Sequence, residues 1–352
     1  MEKIGIVTLT RNPNYGNVLQ NIALQMVIRD LGYEPETIPN IDQTSLFVGK
    51  KGIKNFIKIL INKDNYGIIE IRRRRFLACC KGNIQYGKAY YDGKNIEGDI
   101  SDYKSFVVGS DQVWNPFFNF ASCFELLRFT EREKRIAYAA SFGVSDIAKI
   151  KMKDIKRIQE GLSEFKSLSV RENSGKGIIN RLGIENCEVH VDPTLLVERR
   201  RWDTIVKKPK LKLPDNYIVL YMLGEMSKQY WSMIEELKQF HNASVINVLD
   251  TKYQILDPLE FVWLIKNAKC VCTDSFHATV FSIIYHRQFM IFDRIDTHEN
   301  QNDRFVTLLS ELGIKYKIGD RAQDNVVSWD VVEENIVRER ERSIRYLVSA
   351  LE

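Results

Sequence analysis

The sequence lacks the features that mark several specialised classes of protein. It contains no tract of Gly, Ser, Pro or Gln long enough to resist folding, and no run of about eighteen uncharged apolar residues. Its six cysteines form neither a CxxC pair nor a regular framework, which argues against a disulfide scaffold and against a structural zinc site. The opening MEKIGIVTLT also lacks the long apolar run of a signal peptide. We therefore expect a folded, cytoplasmic chain with reduced thiols.

The chain has little surplus of charge of either sign. Lys and Arg number 51 against 46 Asp and Glu, a net charge of +5 that is too small to indicate a nucleic-acid partner. The surplus is local, because nine basic residues and only two acidic ones lie between Lys50 and Arg75. This basic stretch needs an explanation of its own.

The length and the hydrophobic pattern indicate two α/β domains. A chain of 352 residues exceeds the size of one ordinary hydrophobic core. The apolar run from Ile4 to Thr10 predicts a strand, and Val18 to Leu31 has the apolar spacing of a helix that Gly32 ends. Strands alternating with helices are typical of parallel sheets. We predict Rossmann-like domains at 1–198 and 199–330, and a C-terminal helix at 331–352 that packs back on the first domain.

Further short apolar runs predict the other strands of each domain. In the first half these are Phe106 to Val108, Ile136 to Ala140, Leu168 to Val170 and Val189 to Val191. In the second half they are Tyr217 to Leu223, Val245 to Val248, Lys269 to Thr273 and Gln288 to Phe292. Asp257 and Pro258 predict the start of a helix, because proline is favoured at the first helical position.

The segment CVCTDSFHATVFSIIYHR places polar residues at a strand-to-helix junction. Its strand ends at Thr273 and runs directly into Asp274, Ser275 and His277. Such a junction favours a phosphate or carboxylate, and a histidine in the first helical turn can exchange a proton with it. Alternatively, Asp274 or Ser275 only caps the helix, and His277 satisfies a buried hydrogen bond.

The segment VVGSDQVWNP is a second strand end with polar residues. Gly109 permits a close backbone approach, Ser110 and Asp111 offer a hydroxyl and a carboxylate, and Trp114 offers a flat face for a sugar ring. The alternative is a turn with a core tryptophan, and both interpretations stay open.

Two arginines occupy positions suited to an anion. Arg171 ends a strand in SVRE, and Arg304 opens a helix in NQNDRF. A guanidinium group binds carboxylate or phosphate through two parallel hydrogen bonds. Most arginines are instead solvated surface groups or salt-bridge partners, and this alternative also stays open.

Six segments in one order resemble the polysaccharide pyruvyl transferase family. They are NYGNVLQNIALQ, GSDQVWNP, YAASFG, SVRE, VDPTLL and SFHATVFSIIYHR, and the resemblance is weakest over residues 41–98. It implies a fold similar to the GT-B glycosyltransferase architecture, with phosphoenolpyruvate held in a cleft between two Rossmann-like domains. The implied reaction transfers pyruvate to sugar hydroxyls and needs no further cofactor and no metal.

The resemblance also implies roles for particular residues. The essential histidine of the family falls on His277, which we expect to face the cleft as general acid or phosphate binder. The residue two places earlier is commonly arginine and is Ser275 here, so Arg171, Arg287 or Arg304 would have to replace it. Asp111 is the candidate that orients or deprotonates an acceptor hydroxyl. Predicted donor-binding residues are Thr273, Asp274, Ser275, Arg171 and Arg304. Predicted acceptor-binding residues are Asn14, Tyr15, Gly16, Asn17, Gln20, Ser110, Trp114 and Asn115.

Two other functions stay open, because a fold alone does not fix a function. One is a GT-B-like glycosyltransferase that uses a nucleotide sugar. The other is a binding relative without turnover, which the serine at position 275 favours. The resemblance itself implies a galactose-type acceptor of a capsular or exopolysaccharide pathway, either free or carried on a membrane lipid.

The lysine-rich part of the basic stretch has helical apolar spacing. Ile53, Phe56, Ile57, Leu60 and Ile61 recur among lysines between Lys50 and Lys63. A basic amphipathic helix of this kind can lie on an anionic membrane surface. One interpretation is therefore that residues 50–75 contact the inner face of the membrane peripherally. The alternative is an ordinary surface helix that buries its apolar side.

Overall fold

The computed structural model describes residues 1–10, 13–40, 65–118, 122–294, 302–321 and 327–352. Two compact units make up the chain. Unit 1 comprises Met1–Tyr66, Cys80–Val197 and Arg338–Glu352, and unit 2 comprises Gly67–Cys79 and Glu198–Val337. The predicted amphipathic helix between Lys50 and Lys63 lies outside the described residues.

Unit 1 is built on a six-stranded parallel sheet with the order β2-β1-β5-β6-β7-β8. Its strands are β1 Lys3–Val7, β2 Glu34–Thr37, β5 Tyr103–Val108, β6 Arg135–Ala140, β7 Ser167–Val170 and β8 Glu188–Val189. A separate antiparallel pair is formed by β3 Tyr90–Tyr91 and β4 Ile96–Glu97. The order of the sheet reverses between β1 and β5, and open α/β sheets bind ligands beyond the carboxyl ends of their strands at such a reversal.

The helices of the first half of the chain follow the strands in alternation. They are α1 Tyr15–Asp30, α2 Asn65–Asn83, α3 Met152–Leu162, α4 Asn173–Arg181 and α5 Pro193–Leu196, with 3₁₀ turns at Pro116–Phe118, Arg132–Lys134 and Ile147–Lys149. Helix α1 begins at Tyr15 rather than at the predicted Val18, because the Asn14 side chain accepts the N–H of Asn17 and caps it. Asn17 is therefore part of the first helical turn and not of a loop.

Unit 2 has a four-stranded parallel sheet with the order β10-β9-β11-β12. Its strands are β9 Tyr217–Tyr221, β10 Ser244–Asn247, β11 Cys270–Thr273 and β12 Gln288–Ile291. The helices of this half are α6 Arg199–Ile205, α7 Lys228–Phe240, α8 Pro258–Lys266, α9 Phe276–Ile284, α10 Asp303–Glu311 and α11 Trp329–Leu351. The predicted start of α8 is confirmed, because Asp257 and Glu260 form a capping box around Pro258. The order of this sheet reverses between β9 and β11.

Two helices contribute residues to both units. The segment Gly67–Cys79 of α2 belongs to unit 2, and the segment Arg338–Leu351 of α11 belongs to unit 1. In unit 1 the Tyr346 hydroxyl donates to the Ala137 carbonyl at 2.8 Å, and Ser343 lies 3.0 Å from the buried ring of His190. The last turns of α11 are thus part of the core of unit 1.

The arginines of the basic stretch make contacts inside the protein. In unit 2 Arg75 pairs with Glu260 at 2.5 Å, and Arg72 donates to the Gln254 carbonyl at 2.7 Å. Arg73 and Arg74 both pair with Glu70 on their own helix. Their presence is therefore explained without a membrane, and membrane contact through residues 50–75 stays a prediction. Across the described ranges, no helix combines the length and the apolar character needed to cross a membrane.

Candidate active site

In unit 1 the ends of β1 and β5 are joined to the start of α1 by side-chain hydrogen bonds. The Thr8 hydroxyl donates to the Ser110 carbonyl at 3.3 Å. The Gln20 side-chain amide donates to the Thr8 hydroxyl at 2.7 Å and to the Asn17 carbonyl at 2.9 Å. These bonds fix three elements at the point where the order of the sheet reverses, which is where a ligand is expected.

Asp111 occupies a strained backbone position at this edge. Its φ is +81°, a value that costs free energy for a residue other than glycine and that clusters at functional sites. Its carbonyl accepts from the N–H groups of Val113 and Ser141 at 2.8 and 3.0 Å, which holds the unusual conformation. Its carboxylate accepts the Gln112 N–H at 2.9 Å and lies 3.8 Å from a guanidinium nitrogen of Arg171.

Arg171 is the centre of a buried cluster of charges in unit 1. Its side chain is 1% exposed and lies 3.2 Å from Asp192, 3.5 Å from Glu172 and 3.8 Å from Asp111. Burial alone would lower the pKa of this guanidinium, but the three carboxylates raise it above its ordinary value. Ser110 is fully buried and donates to Asp192 at 2.7 Å. Arg171 is therefore paired within unit 1 and Ser110 is bonded to Asp192, which argues against the predicted contacts of Arg171 with the donor and of Ser110 with the acceptor.

The predicted roles of Trp114 and Asn115 as acceptor contacts are wrong. Trp114 is fully buried, donates its indole N–H to the Glu125 carbonyl at 3.1 Å and packs against Phe142. Asn115 is 1% exposed and donates to the Gln112 side chain at 2.7 Å. The core alternative for Trp114 is thus the correct interpretation, since neither side chain presents a face to a sugar.

The other predicted acceptor residues fall into two groups. Asn14 is exposed and Asn17 is partly exposed at the start of α1, so both can meet a ligand. Tyr15, Gly16 and Gln20 are buried. Their predicted direct contacts with the acceptor are therefore corrected, because buried residues can support this edge of the sheet but do not face a ligand.

In unit 2, Thr273 closes the turn between β11 and α9. Its hydroxyl donates to the Tyr221 carbonyl at 2.6 Å and accepts the Ser275 N–H at 3.0 Å. Thr273 is also fully buried. Its predicted contact with the donor is therefore corrected to a structural role, in which it joins β9 to β11 at the reversal of the sheet order.

Asp274 joins the same two strand ends with its carboxylate. The two oxygens accept the N–H groups of Leu223 and Gly224, both at 2.8 Å, and one of them also accepts the Nε of Arg294 at 3.1 Å. The side chain is 1% exposed. Asp274 therefore holds the two strand ends together and does not cap α9. Its negative carboxylate is also unsuited to bind an anionic donor directly.

Helix α9 starts at this edge without a side-chain cap. Ser275 is its N-cap residue in extended conformation, and its hydroxyl makes no capping hydrogen bond. His277 is the second helical residue, with its ring edge-on to Phe276 at 5.4 Å. It is 6% exposed, so it is largely buried, and the predicted role of His277 at a cleft stays a prediction. The start of α9 nevertheless combines a histidine with the positive end of a helix.

Two arginines of unit 2 contact Asp274. Arg304 lies in the first turn of α10 and its guanidinium is 3.4 Å from the Asp274 carbonyl. Arg294 is not among the residues predicted above, although it follows β12 as Ser275 follows β11 and thus also lies at a strand end. Within the described ranges, no group of three or more His, Cys, Asp or Glu side chains is arranged to hold a metal ion.

The order of the motifs along the chain agrees with one family. Residues 14–296 match the sequence model of a family described as polysaccharide pyruvyl transferase. The chain belongs to this family. All six segments that carry the resemblance lie within the matched residues, as do His277 and Asp111.

Solved structures are similar in fold. A candidate UDP-N-acetylglucosamine 2-epimerase from Listeria monocytogenes has a TM-score of 0.50 and 10% identity, covering 99% of this chain and 91% of that one. The UDP-GlcNAc 2-epimerase from Neisseria meningitidis, bound to UDP-GlcNAc, has a TM-score of 0.49 and 11% identity, covering 100% and 99%. No curated protein matches the chain. The predicted fold class, α/β with two Rossmann-like domains of the GT-B type, is confirmed.

Proposed function

We propose that this member of the family transfers pyruvate from phosphoenolpyruvate to sugar hydroxyls and so forms a ketal. The observation that carries the proposal is the start of α9, where His277 follows an uncapped strand-to-helix junction and two arginines contact the preceding Asp274. This combination suits a small dianionic donor that must also receive a proton.

The proposed reaction needs one proton donor and one group that manages the acceptor hydroxyls. A proton delivered to the methylene carbon of phosphoenolpyruvate yields a methyl group and makes the neighbouring carbon electrophilic. One sugar hydroxyl adds to this carbon, phosphate leaves with the electron pair of its C–O bond, and a second hydroxyl closes the ketal. We assign His277 as the general acid or phosphate binder and Asp111 as the group that orients or deprotonates the hydroxyls.

The two substrates are proposed to bind to different units. Unit 2 would take the donor at the start of α9. Unit 1 would take the acceptor near Asn14, Asn17 and Asp111, which lie at its own reversal of the sheet order. The acceptor would be a galactose-type saccharide of a capsular or exopolysaccharide, free or carried on a membrane lipid. No cofactor and no metal are proposed, and a peripheral location at the inner face of the membrane remains part of the proposal.

The test is phosphate release from phosphoenolpyruvate with a panel of free and lipid-linked galactose-type acceptors. His277→Gln should lower kcat by about 10²- to 10⁴-fold, the usual contribution of a general acid or base, without changing the circular-dichroism spectrum. Glutamine is preferred to alanine here because His277 is buried. Asp111→Asn should lower kcat if Asp111 deprotonates the acceptor hydroxyl, or raise the KM of the acceptor if it only orients it, and should leave the KM of the donor unchanged in both cases.

Two outcomes would contradict the proposal. One is the absence of phosphate release with every acceptor, together with a rise in melting temperature in the presence of UDP-sugars but not of phosphoenolpyruvate, which would indicate a nucleotide-sugar enzyme. The other is binding of phosphoenolpyruvate without turnover under any condition, which would indicate a binding relative. Near-normal turnover of His277→Gln would overturn the assignment of that residue alone.

A further inference from the structure

The segment that joins α6 to β9 in unit 2 is strongly basic. Between Arg199 and Pro214 the sequence has seven basic residues and one acidic residue, Asp203, which is a surplus of six. The net charge of the whole chain is only +5. Three arginines lie in α6, and the four lysines of the joining segment are Lys207, Lys208, Lys210 and Lys212. The residues proposed to bind the two substrates do not explain these lysines.

The burial of this segment alternates and leaves its lysines in an exposed row. Lys208, Lys210 and Lys212 are exposed. Between them, Pro209 is buried and Leu211 is partly buried. Exposure of every second residue is the pattern of an extended chain, in which side chains two residues apart point to the same side. At about 3.3 Å per residue, neighbouring lysines of the row are about 7 Å apart. The ammonium groups are therefore spread along a line and do not surround one point.

Two other elements of unit 2 contact this row. Lys252, in the turn after β10, is exposed and donates its ammonium group to the Lys212 carbonyl at 3.2 Å. The ammonium group of Lys208 lies 5.8 Å from the centre of the Trp263 ring in α8. Lys252 thus adds a fifth lysine beside the row. We call the five residues the lysine surface, which consists of Lys207, Lys208, Lys210, Lys212 and Lys252.

Carboxylates do not neutralise the lysine surface. Over the part of the chain that the structure describes, none of its five ammonium groups forms an ion pair with a carboxylate. Asp203 pairs instead with Lys266 at 2.7 Å. Asp215 and Asp250 are the other acidic residues within four positions of these lysines in the sequence. Five lysines against these two carboxylates still leave a charge of +3 that is available to an anionic partner.

The layout of the lysine surface favours a plane of phosphate groups as its partner. A small anion can contact one or two ammonium groups that are about 7 Å apart, whereas the headgroups of an anionic membrane can contact the whole row. Lysine also binds phosphate as a point charge, without the planar fork that arginine uses for specific recognition. Nucleic acid is disfavoured, because Trp263 and Tyr253 each have a lysine ammonium group over the ring, and stacking with a base needs an open face.

We propose that the lysine surface docks unit 2 on the anionic headgroups of a membrane. This inference rests on the proposed function in one respect, the peripheral location, and it assigns the contact to unit 2 instead of to residues 50–75. Docking there would bring the enzyme to an acceptor that is carried on a membrane lipid. The contact is electrostatic, since the apolar residues Pro209 and Leu211 are buried or partly buried, and high salt should weaken it.

The test is co-sedimentation of the full-length protein at low salt with phosphatidylcholine vesicles that contain one third phosphatidylglycerol. Each lysine near an anionic surface contributes about 1 kcal/mol, a factor of about five. The variant Lys208→Gln/Lys210→Gln/Lys212→Gln should therefore bind these vesicles about 100-fold more weakly than wild type. The control Lys238→Gln/Lys315→Gln/Lys317→Gln removes the same charge from exposed positions elsewhere in unit 2 and should bind as wild type does.

Three results would overturn the inference. The first is equal vesicle binding by wild type and by the variant of Lys208, Lys210 and Lys212. The second is a loss of binding that occurs only when the charges of the lysines at 50, 51, 54 and 58 are reversed, which would place the contact at residues 50–75. The third is tighter binding of wild type to a single-stranded oligonucleotide than to the vesicles, which would indicate a nucleic-acid surface.

Phosphate release from phosphoenolpyruvate with a free acceptor separates this inference from the proposed function. The variant of Lys208, Lys210 and Lys212 should keep this activity, because no residue of the lysine surface belongs to the sites proposed for either substrate. A loss of activity equal to its loss of vesicle binding would contradict a pure docking role. If wild type binds the vesicles as expected but releases no phosphate with any acceptor, the proposed function fails and the docking surface stands.

Discussion

Replacing Arg171 by methionine should destabilise unit 1 severely. The side chain is 1% exposed, and three carboxylates lie 3.2 to 3.8 Å from its guanidinium. Methionine fills a similar volume but leaves Asp111, Glu172 and Asp192 close together without the cation. Breaking a buried ion pair by removing one partner costs about 3–5 kcal/mol, because the remaining charge is left uncompensated.

The size of the effect can be translated into a melting temperature. Unit 1 comprises about 200 residues, and a domain of that size loses about 2–4 °C per kcal/mol. Arg171→Met should therefore lower the transition of this unit by roughly 6–20 °C. Arg181→Met is the control in the same unit, since Arg181 and Asp146 form an exposed ion pair at 3.1 Å that should contribute less than about 1 kcal/mol.

Thermal unfolding of Arg171→Met and of wild type at pH 8 and at pH 5 tests both the size and the electrostatic cause of the destabilisation. Without the cation, the folded variant holds like charges together and favours their protonation, so it binds more protons than the unfolded chain. Its stability relative to wild type must then improve as the pH falls. A loss below about 1 kcal/mol, or a deficit that is equal at both pH values, would refute the electrostatic account of this cluster.

Two further predictions concern the stability of unit 1. Burial, with a smaller effect of Arg342, lowers the pKa of His190 to about 3, so only the unfolded chain takes up this proton as the pH falls from about 6.5 towards 3. His190 should therefore account for about 2 kcal/mol of the stability that the wild-type protein loses between pH 7 and pH 5. Thermal unfolding of His190→Gln should show a loss that is smaller by this amount, and an unchanged loss would contradict this account. Gly143→Ala should cost about 1–3 kcal/mol in urea unfolding, since φ is +65° and a Cβ would lie 2.6 Å from Asn115. The control is Gly177→Ala inside α4, where an added Cβ meets no atom within 4 Å, and this variant should be more stable than wild type by up to about 1 kcal/mol. Equal changes of stability in the two variants would exclude strain at position 143.

The elements that the sequence predicts correctly are those whose signal is local. The buried strands β9 and β11 appear as uninterrupted apolar runs, and the start of α8 appears as Asp257 and Pro258 because a cap acts within one turn. The hydrophobic pattern does not predict strand β2, since its sequence EPET has two glutamates and a proline. It is a strand because it pairs with β1 at the edge of the sheet, where proline is tolerated.

The candidate site was predictable in position but not in burial. Polar residues directly after predicted strands pointed to both sheet edges, and the structure places Asp111 and Ser275 there. Whether a side chain faces a ligand or the core depends on partners distant in sequence. Trp114 is buried under Glu125 and Phe142, and Arg171 is held by carboxylates up to sixty residues away along the chain. Such partners leave no local pattern.

The charges at the two edges favour different ligands, and this difference supports the proposed division of substrates. In unit 1 one arginine is surrounded by three carboxylates, so a phosphate there would face net negative charge. In unit 2 two arginines and the carboxylate of Asp274 lie at the positive end of α9, and the charges of these three side chains sum to +1. Two unit charges about 4 Å apart interact by roughly 4 kcal/mol near a protein surface, which is enough to decide where a dianion binds. A neutral saccharide is not repelled by carboxylates and can donate hydroxyl hydrogens to them. The anionic donor is therefore expected at unit 2 and the acceptor at unit 1.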